Sequence, residues 1–175
     1  MSALILPFDG KSPSVPADVF IAPTAVVIGD VELGSETNVW YGCVVRGDVH
    51  EIRIGARTNI QDCTMVHVTS DVCGTYIGDD VTIGHSAVIH ACTLHDGAFI
   101  GMKATVLDEA VVEGGALVAA GAVVGPGKRV PAGELWAGVP AKKIRDLSEE
   151  EQRELTETPP HYVELARKHA VLKAL

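Results

Sequence analysis

The sequence predicts an all-β solenoid, a parallel β-helix of hexapeptide repeats followed by a C-terminal α-helix, and three observations predict it. Aliphatic residues recur every six positions through most of the 175 residues. A small or β-branched residue stands four places after nearly every one of them. Glycine often follows the aliphatic directly, as in Ile54-Gly55, Ile77-Gly78, Ile83-Gly84, Ile100-Gly101 and Val124-Gly125. This period marks a chain wound into stacked triangular coils of about 18 residues, with successive coils at the strand spacing of about 4.8 Å. The aliphatic fills the prism core, and the small residue fits where the core narrows at a corner. A β-sandwich of short strands would need strict alternation and hairpin turns such as Asn-Gly, and the chain has neither. Period alone leaves the coil's hand open, and a left-handed coil would break the usual right-handed crossover rule.

The aliphatic series begins Ile21, Val27, Leu33, Val39, Val45 and continues, after a nine-residue step, with Ile54, Ile60, Val66. After an eleven-residue step come Ile77, Ile83 and Ile89; a five-residue step then leads to Leu94, Ile100, Val106, Val112, Val118, Val124 and Val130. The predicted corner residues are Ala25, Val31, Thr37, Cys43, Val49, Thr58, Thr64, Val81, Ala87, Thr93, Ala98, Ala104, Ala110, Ala116 and Ala122. Insertions in a solenoid go to loops on one face, often the binding face, so Val68–Tyr76 should bulge out. The coils should end near Pro131. Gly138-Val139-Pro140-Ala141-Lys142 then turns the chain out, and Ser148 with Glu151 forms a capping box that starts a helix. Pro159-Pro160 should break that helix. A second helix from Pro160 to about Lys173, with Tyr162, Leu165, Ala166, His169 and Ala170 on one face, should pack along the prism. The whole is one domain, with residues 1–137 as the β-helix and 138–175 as its turn and helical segment.

Composition agrees and excludes some functions. Apolar residues make up 47% of the chain but aromatics only 5%, so small and branched aliphatics must build the core. A net charge of −9 argues against a nucleic-acid or anionic-membrane surface. No run of 18 apolar residues is present, and Met1–Pro7 lacks the basic start and apolar run of a signal peptide. The expectation is a cytoplasmic protein. Cys43, Cys63, Cys73 and Cys92 show no C-x-x-C spacing and read as reduced, buried small hydrophobes.

Three of the seven histidines, at 67, 85 and 90, fall in the stretch from Gln61 to Cys92, inside the repeat. In steps around the prism, Val45, Val66 and Ile89 share a face, so Arg46, His67 and His90, each next in sequence, should stack on successive coils. His67 and His90 then stand about one strand spacing apart, near enough for both imidazoles to reach one metal ion. His85 belongs to the neighbouring face, above Asp62. If three prisms pack about a threefold axis, His85 of one copy can meet His67 and His90 of the next. Three histidines with an open fourth position is the arrangement of a catalytic zinc, which makes hydroxide available near neutral pH for attack on a small electrophilic carbon. Gln61 and Asp62 are candidates to orient the ligands and the water.

With those residues placed, the chain resembles the γ-class carbonic anhydrases. The matching blocks are Val19-Phe20-Ile21-Ala22-Pro23-Thr24-Ala25, Ile28-Gly29-Asp30-Val31, Val44-Val45-Arg46-Gly47-Asp48, Asn59-Ile60-Gln61-Asp62, His67, Ile83-Gly84-His85, His90 and Gly138-Val139-Pro140-Ala141-Lys142. The resemblance implies a left-handed β-helix, a homotrimer, and zinc between subunits, with iron or cobalt as alternatives. It implies His67, His85 and His90 as ligands, Gln61 orienting the water, Arg46 with Asp48 as an intersubunit ion pair, and Asp62 supporting the site. It implies reversible hydration of carbon dioxide to bicarbonate. The chain departs from the most active members at Val49 and Ser70, where they carry glutamates. That leaves Asp71, and Tyr162 from the terminal helix, as candidates to carry the proton away. A coenzyme-A-dependent acyltransferase or thioesterase on the same scaffold, and a trimeric scaffold protein without turnover, are the other readings.

Overall fold

The computed structural model describes residues 3–172; Met1, Ser2 and the expected helix end at Lys173 lie outside the described residues. It is a parallel solenoid with one terminal helix. One face is a ladder of short strands: Phe20–Ile21, Asn38–Val39, Asn59–Ile60, Thr82–Ile83, Phe99–Ile100, Leu117–Val118 and Glu134–Ala137. Their register stacks Ile21, Val39, Ile60, Ile83, Ile100, Val118 and finally Trp136. A second face stacks Val27, Val45, Val66, Ile89, Val106 and Val124. The third stacks Leu33, Ile54, Ile77, Leu94, Val112 and Val130. Every aliphatic in these three columns is buried except Ile21, half-buried in the first coil. Each column is a line of branched side chains in van der Waals contact along the axis, and this is the core.

Most of the predicted corner residues are fully buried, but Val49 is 44% exposed and Thr93 half-buried. The buried corner column is Val31, Ile52, Thr75, Cys92 and Ala110, each two residues before the next core aliphatic. In a regular six-residue step, four after one aliphatic and two before the next are the same place. In the nine- and five-residue steps only the backward count holds, because the corner must serve the strand that follows it. The nine-residue step makes no loop at all. Val44–Ile54 is one strand that runs round the corner against Val26–Leu33, with a register shift between Gly29 and Val31. At that bend Gly29 has φ +78°, and a Cβ there would sit 2.3 Å from the Gly47 carbonyl oxygen.

The eleven-residue step does form a loop, shorter than expected. Val68 and Thr75 are buried, so the excursion is the turn between Thr69 and Gly74, closed by the Thr69–Cys73 bridge. The coils continue past Pro131 to Ala137. The Gly138–Lys142 turn then brings Lys142–Asp146 back antiparallel to Glu134–Ala137. This lysine- and arginine-bearing strand covers the sheet edge that would otherwise be open.

The helix is one element, Glu149–His169, running through Pro159 and Pro160, so the expected break does not occur. Proline has the helical φ built in, and its cost is two missing backbone donors and crowding of the preceding turn, about 3 kcal/mol or more each. Burial of Leu155, Pro159, Val163 and Ala166 along one stripe offsets it, and Pro159 is itself part of that stripe. Ser148 and Glu151 form the expected capping box. The helix lies across Asn38–Val39, Asn59–Ile60 and Thr82–Ile83. Tyr162 and His169 meet Trp40 edge-on, at ring centroid distances of 5.5 and 4.9 Å, while Ala170 is exposed. No described helix is long and apolar enough to cross a membrane.

All four cysteines are free; Cys43 and Cys92 are buried as expected, but Cys73 is half-buried and Cys63 exposed on its turn. Burial pushes the Cys43 thiol up to about 12 and raises Cys92 as well, so neither forms a thiolate near neutral pH. Titration with a thiol reagent at pH 8 should therefore modify Cys63 first and leave Cys43 and Cys92 untouched until denaturant is added. A second expectation concerns the bend. Gly29→Ala should lower stability by several kcal/mol, through the carbonyl clash, whereas Gly121→Ala, where φ is +70° and a Cβ meets nothing within 4 Å, should cost only about 1 kcal/mol. Denaturant midpoints of the two variants check this.

Candidate functional site: a histidine pair on one face

The strands Met65–His67 and Val88–His90 lie side by side, with His67 directly opposite His90. The backbone fixes that pairing: Ala91, at φ +48°, turns the chain immediately after His90, and its N–H reaches the His67 carbonyl at 3.1 Å. The buried Thr75 hydroxyl donates to the same carbonyl at 2.5 Å and accepts from Ala91 N–H at 3.0 Å. Both imidazoles project from the outer surface, His67 17% and His90 29% exposed.

Each ring leans on a carboxylate. His67 Nε2 is 3.1 Å from Asp48 Oδ1, and His90 Nδ1 is 3.2 Å from Asp108 Oδ1. Burial pushes the Asp48 carboxyl up, but hydrogen bonds from Arg46 and His67 outweigh it and hold Asp48 below the usual carboxylate range. The Thr69 hydroxyl does the same for Asp108, against the opposing effect of burial. An ionised carboxylate only accepts hydrogen bonds. The neutral His67 must therefore carry its hydrogen on Nε2, and the neutral His90 on Nδ1. The two remaining nitrogens, His67 Nδ1 and His90 Nε2, face each other 3.3 Å apart with a lone pair on each. Two lone pairs so placed repel unless something positive lies between them. Nitrogens that each stand about 2.0–2.1 Å from one tetrahedral ion are about 3.3–3.4 Å apart, so the donor set fits a small divalent cation.

His85 is elsewhere. It follows Thr82–Ile83 on the neighbouring sheet, 43% exposed, with Nδ1 3.0 Å from Asp62 Oδ2. Within the chain, no three His, Cys, Asp or Glu side chains among the described residues gather as a ligand set. Gln61 lies on the His85 side, buried, with its amide nitrogen donating to Asn59 Oδ1 at 3.0 Å. Tyr162 comes down on this side from the helix, where burial raises its pKa and the charge of Asp62 adds to the shift. Arg46 pairs with Asp48 within the chain. Asp71 sits on the exposed turn, bonded to Ser70 at 3.2 Å. The structure thus brings Arg46, Asp48, His67 and His90 together, sets Gln61, Asp62, His85 and Tyr162 on a second group, and places Asp71 on the exposed turn after His67 with no bond to either. Asp108 was not among the sequence candidates. Carrying the register one coil past Ile89 to Val106, and reading the next two residues, would have found it.

A six-residue repeat wound into coils whose strands stack in parallel defines a hexapeptide-repeat protein. No protein-family model matches the chain. It is 53% identical over 165 residues to gamma carbonic anhydrase 2, mitochondrial, of Arabidopsis thaliana, which covers 91% of this chain and 59% of that protein. It is 43% identical over 149 residues to the probable carbonic anhydrase of Methanocaldococcus jannaschii, covering 85% of this chain and 93% of that one. Among solved structures, a hexapeptide transferase family protein from Anaplasma phagocytophilum superposes with a TM-score of 0.91 at 48% identity, over 94% of this chain and 97% of that one. The chain belongs to the γ-carbonic anhydrase family. It spans between 59% and 66% of the length of the three plant relatives it matches.

Proposed function

We propose that the protein is a metal-dependent lyase that hydrates carbon dioxide reversibly to bicarbonate. The observation that carries this reading is the pair of imidazole nitrogens 3.3 Å apart, with the other nitrogen of each ring against an aspartate, in a chain of this family. His67 and His90 of one copy would hold zinc, or iron or cobalt, together with His85 of a neighbouring copy in a homotrimer. Three imidazoles leave a fourth position open to water. When bound, such an ion supplies a Lewis acid that lets water ionise near neutral pH.

The chain's own residues have distinct parts in this reading. Asp48, Asp62 and Asp108 accept the outer N–H of each imidazole and hold the rings in place. Arg46 neutralises Asp48 at the edge of the site. Gln61, its amide nitrogen committed to Asn59, offers its carbonyl oxygen to the attacking water. Hydration releases one proton per turnover, and a group in contact with solvent must take it. Val49 and Ser70 cannot. Asp71, exposed on the neighbouring turn, and Tyr162, beside Asp62, are the groups of this chain offered for that step.

Stopped-flow hydration of carbon dioxide on protein of measured metal content tests the reading. Turnover should vanish on chelation and return with metal, and His90→Ala should lower kcat/KM by at least about 100-fold. A fully metallated protein without turnover would overturn it in favour of thioester hydrolysis or a scaffold, and an acyltransferase would keep its activity under chelation. Asp71→Asn should lower kcat several-fold in dilute buffer and little in concentrated imidazole buffer, where solution base replaces the side chain. The same loss in both buffers would remove Asp71 from proton export.

A further inference from the structure

Asp108 lies two residues after Val106, one coil beyond Ile89 in register. One of its oxygens, Oδ1, serves two partners. His90 Nδ1 approaches it at 3.2 Å, and the Thr69 hydroxyl donates to it from the turn that follows His67. That turn is closed on itself, with Thr69 N–H bonded to the Cys73 carbonyl at 3.1 Å. The carboxylate therefore joins three consecutive coils: the one that bears His67, the one that bears His90, and its own. Its side chain is 35% exposed, and the Asp108 backbone carbonyl is separately bonded to Gly127 N–H at 2.8 Å. The coil at this position is held by its backbone, and the carboxylate adds the bonds to His90 and to the Thr69 turn.

We infer that Asp108, tethered by Thr69, is a positioning residue that fixes His90 in the tautomer with hydrogen on Nδ1, turns its Nε2 lone pair toward His67 Nδ1, and so sets the cation affinity of the pair. The inference rests on the metal-dependent reading above for its second half and on the hydrogen-bond geometry alone for its first. A neutral imidazole has one lone pair to give, and the bond made by the other nitrogen decides which atom gives it. With Asp108 removed, His90 is free to rotate and to carry its hydrogen on Nε2, where it would point into the His67 nitrogen and close the pair to a cation.

Two measurements on the protein separate the halves. Long-range ¹H–¹⁵N correlation of the metal-free protein near pH 8 should show His90 as the Nδ1–H tautomer, and Asp108→Ala should shift it toward Nε2–H. Chelator competition with zinc alone should show affinity about 10–100-fold weaker in Asp108→Ala. Asp108→Asn, which keeps a carbonyl acceptor, should recover part of that loss and carries the test if the alanine variant does not fold. Thr69→Val, which only frees the carboxylate, should lose less than Asp108→Ala. An Nε2–H tautomer in the wild-type protein, an unchanged tautomer and zinc affinity in Asp108→Ala, or a larger loss in Thr69→Val would overturn the inference. Absence of zinc binding by the wild-type protein would instead overturn the metal reading, and the metal-free tautomer would still decide the positioning role.

Discussion

The molecule depends on the parallel register between each strand and the strand one coil later. The strands of the three faces are bonded in parallel register to those of the adjacent coils, so a slip by one residue would turn each core aliphatic outward and each outer residue inward. That constraint is what lets a side chain be addressed by its place after a core aliphatic. His67 and His90 are 23 residues apart yet directly opposite, because the residues that exceed a regular coil are set aside in a turn. The site is a product of the ladder, with no element built specially for it.

The charges follow the same logic. Each of the three candidate ligand histidines has one aspartate: Asp48 for His67, Asp62 for His85 and Asp108 for His90. None of these pairs is local in sequence; the ladder makes all three. Two of them fall on one sheet and the third on the next, so a single prism can bring two imidazole lone pairs together and holds the third around a corner. A single chain with this distribution holds its donors in two groups, and the proposed trimer would be what unites them.

Sequence reasoning reached the columns of the core because a closed prism admits only aliphatics there, and it reached the opposition of His67 and His90 by counting along those columns. It failed where the count is ambiguous. A forward count through the irregular steps puts Val49 and Thr93 at corners, while the buried residues there are Ile52 and Cys92. Pro159-Pro160 reads locally as a helix end, yet the stripe from Leu155 to Ala166 packs on the prism and keeps the helix whole. Tertiary burial outweighed propensity, and no window around the prolines contains that information. Asp108 was missed for a different reason: a single aspartate in a turn has no periodic mark, and only the coil beneath it gives it a role.

The docking of the helix has a consequence for the order of assembly. The contact between Tyr41 and His169 joins residues 128 apart in the chain, and the surface the helix covers belongs to coils near the beginning. During synthesis those coils can stack, rung on rung, long before the helix leaves the ribosome. The flank of the prism beside Trp40 therefore stays open until the helix has been made. Loop closure over that distance is costly compared with adding one more coil to a growing stack. Helix docking is thus expected to follow the stacking of the coils it covers, and a nascent chain stalled before it would hold stacked coils with an open apolar flank.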